Sequence, residues 1–335
     1  MKLLEKQLKK KKLMDNLNFG VVDQKQKESD FDLSQLGSAV EIPESYNTPY
    51  SLEVTHQRKI PACGSHAGTH LKNIQEGKNH SPAYLWKRIK QVDGYEKLPP
   101  DIGTSMEGIF KALAKFGVCE DKLLPNDTTQ SITDYTDPSV ITKEMDDNAL
   151  NYRIGAYAYN WKPTFESLKK DIYLYKAIIV RVEITADWWT PSWKAKDIFP
   201  LKKKRANQGG HFVVLTGYDK DTIYGINSWG DTWGDKGFFY FNEDYMSQVT
   251  YYGTCFDYTD KIPYIFTRTL KVGSKGTDVG ILQKILKEKG YFPASQSITG
   301  FFGRITENAV KAFQKANNLQ ADGIVGKMTR EKLAM

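Results

Sequence analysis

Two short apolar runs, Phe212-Val213-Val214-Leu215 and Ile223-Tyr224-Gly225-Ile226, flank a polar turn at Asp219-Lys220-Asp221-Thr222. Strand-forming residues on either side of such a turn predict an antiparallel hairpin. The hairpin constrains the fold through what its ends carry. His211 opens the first run and Asn227 closes the second, sixteen positions later, so pairing brings a side-chain amide beside an imidazole. Far upstream stands Cys63, with Gln57 six positions before it. A sulfur nucleophile, a general base and an amide that orients the base are the parts of a thiol hydrolase. A water-exposed cysteine has a pKa near 8.5, so only roughly 3% is thiolate at neutral pH, and an adjacent imidazolium lowers that pKa by several units. A productive fold must therefore bring Cys63 and His211 face to face.

The elements around these residues predict how that happens. Helices are expected from about Cys63, over 82–90 and over 105–116. Strands are expected over 177–185, 211–218, 222–227 and 237–241. Nucleophile and base would then come from opposite walls of a cleft between a helical lobe and a β-rich lobe. Placing Cys63 at a helix N-terminus adds the partial positive charge of unpaired backbone amides to the stabilisation of a thiolate.

Over about residues 41–262 the chain resembles the papain-like cysteine peptidases, particularly their bacterial and phage branch. The motifs that carry the likeness are HQRKIPACGSHAG, GGHFVVLTGYD and INSWGDTWGDKGFFYF. The resemblance implies an α+β, two-lobed fold and a cysteine-type endopeptidase with Cys63, His211 and Asn227 as catalytic residues. It also implies that Gln57 donates to the oxyanion, that Asn227 fixes the His211 ring, and that Trp229 keeps water off their hydrogen bond. An alternative register would align His66 of Cys-Gly-Ser-His with the nucleophile and give a dead enzyme, but it leaves Gln57 nine residues from the reactive position, too far for the family's oxyanion geometry. The chain departs from the pattern at Arg58 and Pro61, where the family usually has glycines, at Gly64 in place of a tryptophan, and at Ile60 in place of a disulfide cysteine.

Three cysteines exclude a disulfide scaffold. Cys119 and Cys255 sit among apolar neighbours and read as buried thiols. The odd count suits folding in a reducing cytoplasm. No apolar run reaches membrane-spanning length, and the N-terminal stretch lacks the apolar core of a signal peptide. The lysine run 9–12, flanked by Leu4, Leu8 and Met14, reads as a solvated, frayed helix, with an anionic surface as the alternative. Residues 20–40 are polar and charge-mixed, a flexible lead-in in which a regulatory role stays open.

All of the net charge of +7 lies in 268–335, which hold 12 Lys and Arg against 5 Asp and Glu. That balance implies an anionic polymer as partner. In this segment Thr277 or Asp278 is expected to cap a helix with Leu282, Ile285 and Leu286 on one side. Thr306 is expected to cap a second with Val310, Phe313 and Asn317, and a third, short helix follows Thr329. TGFFGRIT and DGIVGKMT are near copies, which points to an internally repeated small bundle. Through VGILQKILKEKGYF, AVKAFQKANNL and DGIVGKMT the segment resembles the peptidoglycan-binding domain type 1, a three-helix module. Phe301, Phe302 and Tyr291 are expected in its core, and no wall-contacting residue is legible.

Two features leave alternatives open. The stretch 186–210, with Trp188, Trp189, Trp193 and a basic run at 202–205, is either a cleft wall that grips substrate or a loop packed over a satellite core. Cys63, His66 and His70 share one helix face, a conceivable metal face, but no fourth ligand accompanies them. A hydrogen-bonded packing role for the two histidines is the expectation, with no metal and no organic cofactor.

The organisation expected is a basic and polar extension over 1–40, a peptidase domain over 41–262 and a peptidoglycan-binding domain over 263–335. The expected function is hydrolysis of a peptide or protein substrate by a Cys-His-Asn mechanism, as in an endolysin or autolysin. Synthesis is in the cytoplasm and action at the bacterial wall, with phage-mediated release as one route to it. The protein is expected to be a monomer without nucleic-acid partners, and the alternatives are a wall-anchored acyl transferase or transpeptidase, or a catalytically silent wall-binding protein.

Overall fold

The computed structural model describes residues 21–27, 30, 32–33, 41–50, 52–94, 102–184, 188, 209–257 and 268–333. The expectations for the lysine run 9–12, for Trp189 and Trp193 and for the basic run 202–205 lie outside these residues. Two compact units are present.

In the larger unit, helices α1 (Cys63–Glu76), α2 (Pro82–Asp93) and α3 (Met106–Lys115) pack on one another. The starts of α2 and α3 are set locally. Ser81 and Ser105 accept hydrogen bonds from the Tyr84 and Gly108 amides, and Pro82 occupies the first turn of α2, where its missing N–H costs nothing. On α3, Met106, Ile109, Phe110 and Leu113 recur at helical spacing and are all buried. Two short helices, α4 (Ile132–Thr136) and α5 (Lys143–Ala149), lead to the β-rich half.

That half is an antiparallel sheet of β1 (Tyr46–Asn47), β2 (Ile154–Asn160), β3 (Ile178–Glu183), β4 (Gly210–Tyr218), β5 (Ile223–Ile226), β6 (Phe238–Phe241) and β7 (Val249–Asp257), with α6 (Phe165–Tyr175) between β2 and β3. The strand order is β2-β7-β3-β4-β5-β6, and β1 pairs with β4. The expected hairpin is β4–β5, which pairs Tyr218 with Ile223 and Val214 with Ile226 around a bulge between Leu215 and Gly217. Strand β4 is buried along its whole length, because β3 and β5 flank it while α1 and α6 pack against it. One core cluster joins the two lobes, with Leu71, Ile109 and Phe110 from the helices and Phe212, Val214 and Tyr251 from the sheet. Cys119 and Cys255 belong to it as free, buried thiols, as expected.

The smaller unit contains α7 (Thr277–Glu288), α8 (Arg304–Ala316) and α9 (Lys327–Leu333). The near-copy motifs are each tied down by a buried glutamine of the preceding helix. Gln283 Nε2 donates to Phe301 O at 2.9 Å and to Thr306 Oγ1 at 2.9 Å. Gln314 Nε2 donates to Ile324 O at 2.9 Å and to Thr329 Oγ1 at 3.1 Å. Thr306 is therefore no cap: the helix is capped by Gly303, and Thr306 faces inward as an acceptor. Likewise Gly276 precedes α7 and no side chain caps it, while Asp278 is held by Arg268 at 2.9 Å. Thr329 lies inside α9 and does not precede it. Phe302 is buried and Tyr291 packs edge-on against Phe313, but Phe301 is 45% exposed under Lys275 and is not a core residue.

Candidate active site

Cys63 is the first residue of α1, and Ala62 before it supplies no side-chain cap. The thiol is hydrogen-bonded to the backbone of Phe212, of Gly64 and of Cys63 itself. Phe212 immediately follows His211 on β4, so the first turn of α1 and the start of β4 meet at the sulfur. Gly64 has a specific reason to be glycine. A Cβ there would lie 2.4 Å from Thr104 Cγ2, so a side chain would push away the loop before α3.

His211 Nε2 lies 2.8 Å from Asn227 Oδ1. The same oxygen accepts the Ser228 amide at 2.8 Å, which turns the carboxamide so that its oxygen, not its nitrogen, meets the ring. Nε2 therefore carries the proton. Nδ1 is buried, has no hydrogen-bond partner among the described residues, and is left as an acceptor. The Trp229 ring lies 5.1 Å from the imidazole, and Trp188, edge-on to Trp229 at 5.8 Å, lies 6.0 Å from it. Trp188 is wholly buried, donates to Tyr245 Oη at 2.8 Å and stacks on Trp233, so this part of the tryptophan-rich stretch is a satellite core.

Gln57 is fixed by Ser228 on two sides: its amide donates to Ser228 O at 2.9 Å, and its Oε1 accepts the Ser228 hydroxyl at 2.6 Å. Gln57 Nε2 donates to Ile60 O at 3.1 Å, which uses one of its two hydrogens. Ser228 thus positions both amides of the site, a role the sequence did not reveal because only its neighbours belong to the recognisable motif. Arg58, standing where a glycine is usual, adopts φ 48° and donates its amide to His56 Nδ1 at 2.9 Å.

His66 and His70 share one hydrogen-bond partner. Both hold the Thr55 hydroxyl, at 2.6 Å and 2.9 Å, inside the protein. Among the described residues no group of acidic, cysteine and histidine side chains is placed to hold a metal ion.

Burial sets the protonation states. It pushes the Cys63 thiol up to about 12 and His211 down to about 4, the latter opposed by the Asn227 hydrogen bond. The expected thiolate is therefore not the form this state favours: Cys63 is wholly covered, and desolvation outweighs the backbone hydrogen bonds that lower its pKa. Burial also lowers His70 and His80 to about 3 and His66 well below its ordinary value. These histidines are neutral in the folded protein, and in the unfolded chain they titrate near 6.5. Between those values the unfolded chain binds more protons, so stability is full above about pH 6.5 and falls as pH drops toward 4. His211 alone accounts for on the order of 3 kcal/mol by pH 4. Thermal unfolding followed across this range is expected to show a steep loss of Tm; a flat profile between pH 7 and 4.5 would contradict the neutral, buried assignment.

Part of the N-terminal lead-in is not free. Val22 donates its amide to Thr104 O at 2.8 Å, beside a parallel bridge between Val21 and Thr104. Gln24 Oε1 accepts the Glu107 amide at 2.7 Å, and Asp23 pairs with Arg181 at 2.9 Å.

Comparison with known proteins agrees with the fold. Residues 102–255 match the papain family cysteine protease model, and residues 275–333 match a putative peptidoglycan binding domain. The first match contains His211 and Asn227 and begins after Gln57 and Cys63. Xylellain, a cysteine protease from Xylella fastidiosa, superposes with a TM-score of 0.60 at 19% identity, over 72% of this chain and 97% of that one. The digestive procathepsin L 3 of Tenebrio molitor gives 0.56 at 17% identity, over 74% and 79%. The N-acetylmuramoyl-L-alanine amidase CwlL of Bacillus licheniformis is 41% identical over 63 residues, which is 18% of this chain and 18% of the amidase.

Proposed function

We infer, for a chain that is a papain-like cysteine peptidase with a C-terminal peptidoglycan-binding domain, that it hydrolyses peptide bonds at the bacterial cell wall, as an endolysin or autolysin does. The observation that carries the chemistry is the His211–Asn227 pair, whose geometry leaves Nδ1 as the free acceptor at the strand position next to the Cys63 thiol. In this mechanism Nδ1 takes the thiol proton as the substrate carbonyl arrives, and the sulfur adds to the carbonyl carbon. The second Nε2 hydrogen of Gln57 and the Cys63 amide stabilise the resulting oxyanion. His211 then returns its proton to the leaving amine, and a water molecule activated by the same nitrogen hydrolyses the thioester.

The amidase likeness and the basic, glutamine-tied C-terminal unit support the wall as the location of the substrate. No helix of the described residues is long and apolar enough to cross a membrane. Attachment at the wall is assigned to residues 263–335 because residues 275–333 match a putative peptidoglycan binding domain. Deleting 268–335 is expected to leave turnover of small soluble peptides nearly unchanged and to remove co-sedimentation with purified sacculi. Tethering raises local concentration at an insoluble substrate and does not alter the chemical step. Wall binding of the intact chain should weaken as salt rises, since the whole net charge of +7 lies in that segment. Full co-sedimentation of the truncated chain would place the anchor elsewhere.

A further inference from the structure

Arg181 is a cation in an unusual place. It lies on β3 opposite Phe212, whose backbone holds the Cys63 thiol, and it is 5% exposed. Its guanidinium fits only because the residue before His211 is glycine: a Cβ on Gly210 would lie 2.9 Å from Arg181 Nε and Nη2. On the helical side the matching neighbour is Thr104, packed against Gly64 beside the nucleophile. Residues 21–23 join these two points, with Val22 bonded to Thr104 and Asp23 bonded to Arg181. Residues 21–23 therefore bridge a neighbour of the nucleophile helix and a neighbour of the base strand, and one carboxylate of that stretch meets a buried guanidinium.

The donors at this point are not used up. Arg181 Nη1 serves Glu183 and Thr250 Oγ1, and Nη2 serves Asp23. Arg181 Nε and the hydroxyl of Tyr251, its partner across β7, are buried with no hydrogen-bond partner among the described residues. Burial above all raises the pKa of the Tyr251 hydroxyl, with the Arg181 guanidinium opposing it and Asp23 adding to it. Asp23 itself is 78% exposed, so its hold is screened by solvent and readily displaced.

We propose that Arg181 is the specificity-determining residue of the cleft, receiving an acidic side chain of the substrate at the position Asp23 occupies in this structure. Glu183 already balances the charge of Arg181, so discrimination comes from geometry. The Nε and Nη2 edge offers two parallel donors, which a carboxylate accepts with both oxygens, whereas a carboxamide sets an N–H against one of them.

This inference rests on Cys63 as the nucleophile, and the test separates the two ideas. Fluorescein-labelled alanine hexapeptides carrying a single Glu, or the matching Gln, at each position would be titrated onto the full-length Cys63→Ala, Asp23→Asn protein. The same peptides would be given to the Asp23→Asn enzyme for hydrolysis. At one position Glu is expected to bind at least about tenfold more tightly than Gln, a preference lost in Arg181→Met combined with Glu183→Gln, which leaves no carboxylate orphaned. Arg181→Lys should retain part of it. Equal binding of the Glu and Gln peptides at every position would overturn the proposal without needing any variant of Arg181. A Glu preference in binding without hydrolysis would instead count against the peptidase chemistry and leave the recognition intact.

Discussion

Cys63→Ala is expected to reduce peptide hydrolysis by about 100,000-fold or more, because the nucleophile of a covalent mechanism has no substitute among the groups around it. The site contains no second thiol: Cys119 and Cys255 are buried in the core cluster, and the nearest hydroxyl of α1, Ser65, is buried and donates to Ala62 O at 3.0 Å. Removing the sulfur should leave the fold in place, since alanine keeps the Cβ and suits a first helical turn. The check is kcat/KM on soluble peptides beside unfolding curves of both proteins. Retained turnover at a few per cent of the original rate would rule out Cys63 as the nucleophile.

The readings that held were those written in local chemistry. The β4–β5 hairpin follows from two strand-forming runs and a polar turn, and it delivers the 2.8 Å contact of His211 with Asn227 that the spacing implied. The starts of α2 and α3 follow from serine caps. Strands β2 and β7 were not identified. β2 carries glycine and polar tyrosines in place of a clean alternation, and its pairing with β7 joins residues about a hundred positions apart, which no local pattern encodes. Thr306 and Thr329 mislead for a related reason. Thr306 before a helix reads as a cap, but Gln283 draws its hydroxyl inward and Gly303 takes the cap position, while Thr329, expected to precede the last helix, lies inside it with its hydroxyl held by Gln314. Arg181 was invisible for the same cause: within Ile-Ile-Val-Arg-Val-Glu it reads as one residue of a strand, and only the fold places it beside Gly210, Phe212 and Asp23.

His211→Ala is expected to lower turnover by about 10,000-fold or more, second only to loss of the sulfur. The reason lies in the neutral state of the pair. With the thiol held up at about 12 by burial, almost none of it ionises unaided near neutral pH, so the attack requires a base in contact with it. His211 Nδ1 is a buried acceptor on the strand residue beside Phe212, and the proposed mechanism gives it the thiol proton while Asn227 engages the other nitrogen. Asn227→Ala should therefore cost less, because the imidazole survives and loses only its orientation. His66→Ala should act chiefly on stability, since its Nδ1 is engaged with Thr55 at 2.6 Å. Comparing kcat for the three variants, each shown to be folded, separates these roles. A folded His66→Ala protein that lost more turnover than His211→Ala would transfer the base to helix α1, on the same side of the cleft as the nucleophile, and would undo the facing arrangement on which the mechanism depends.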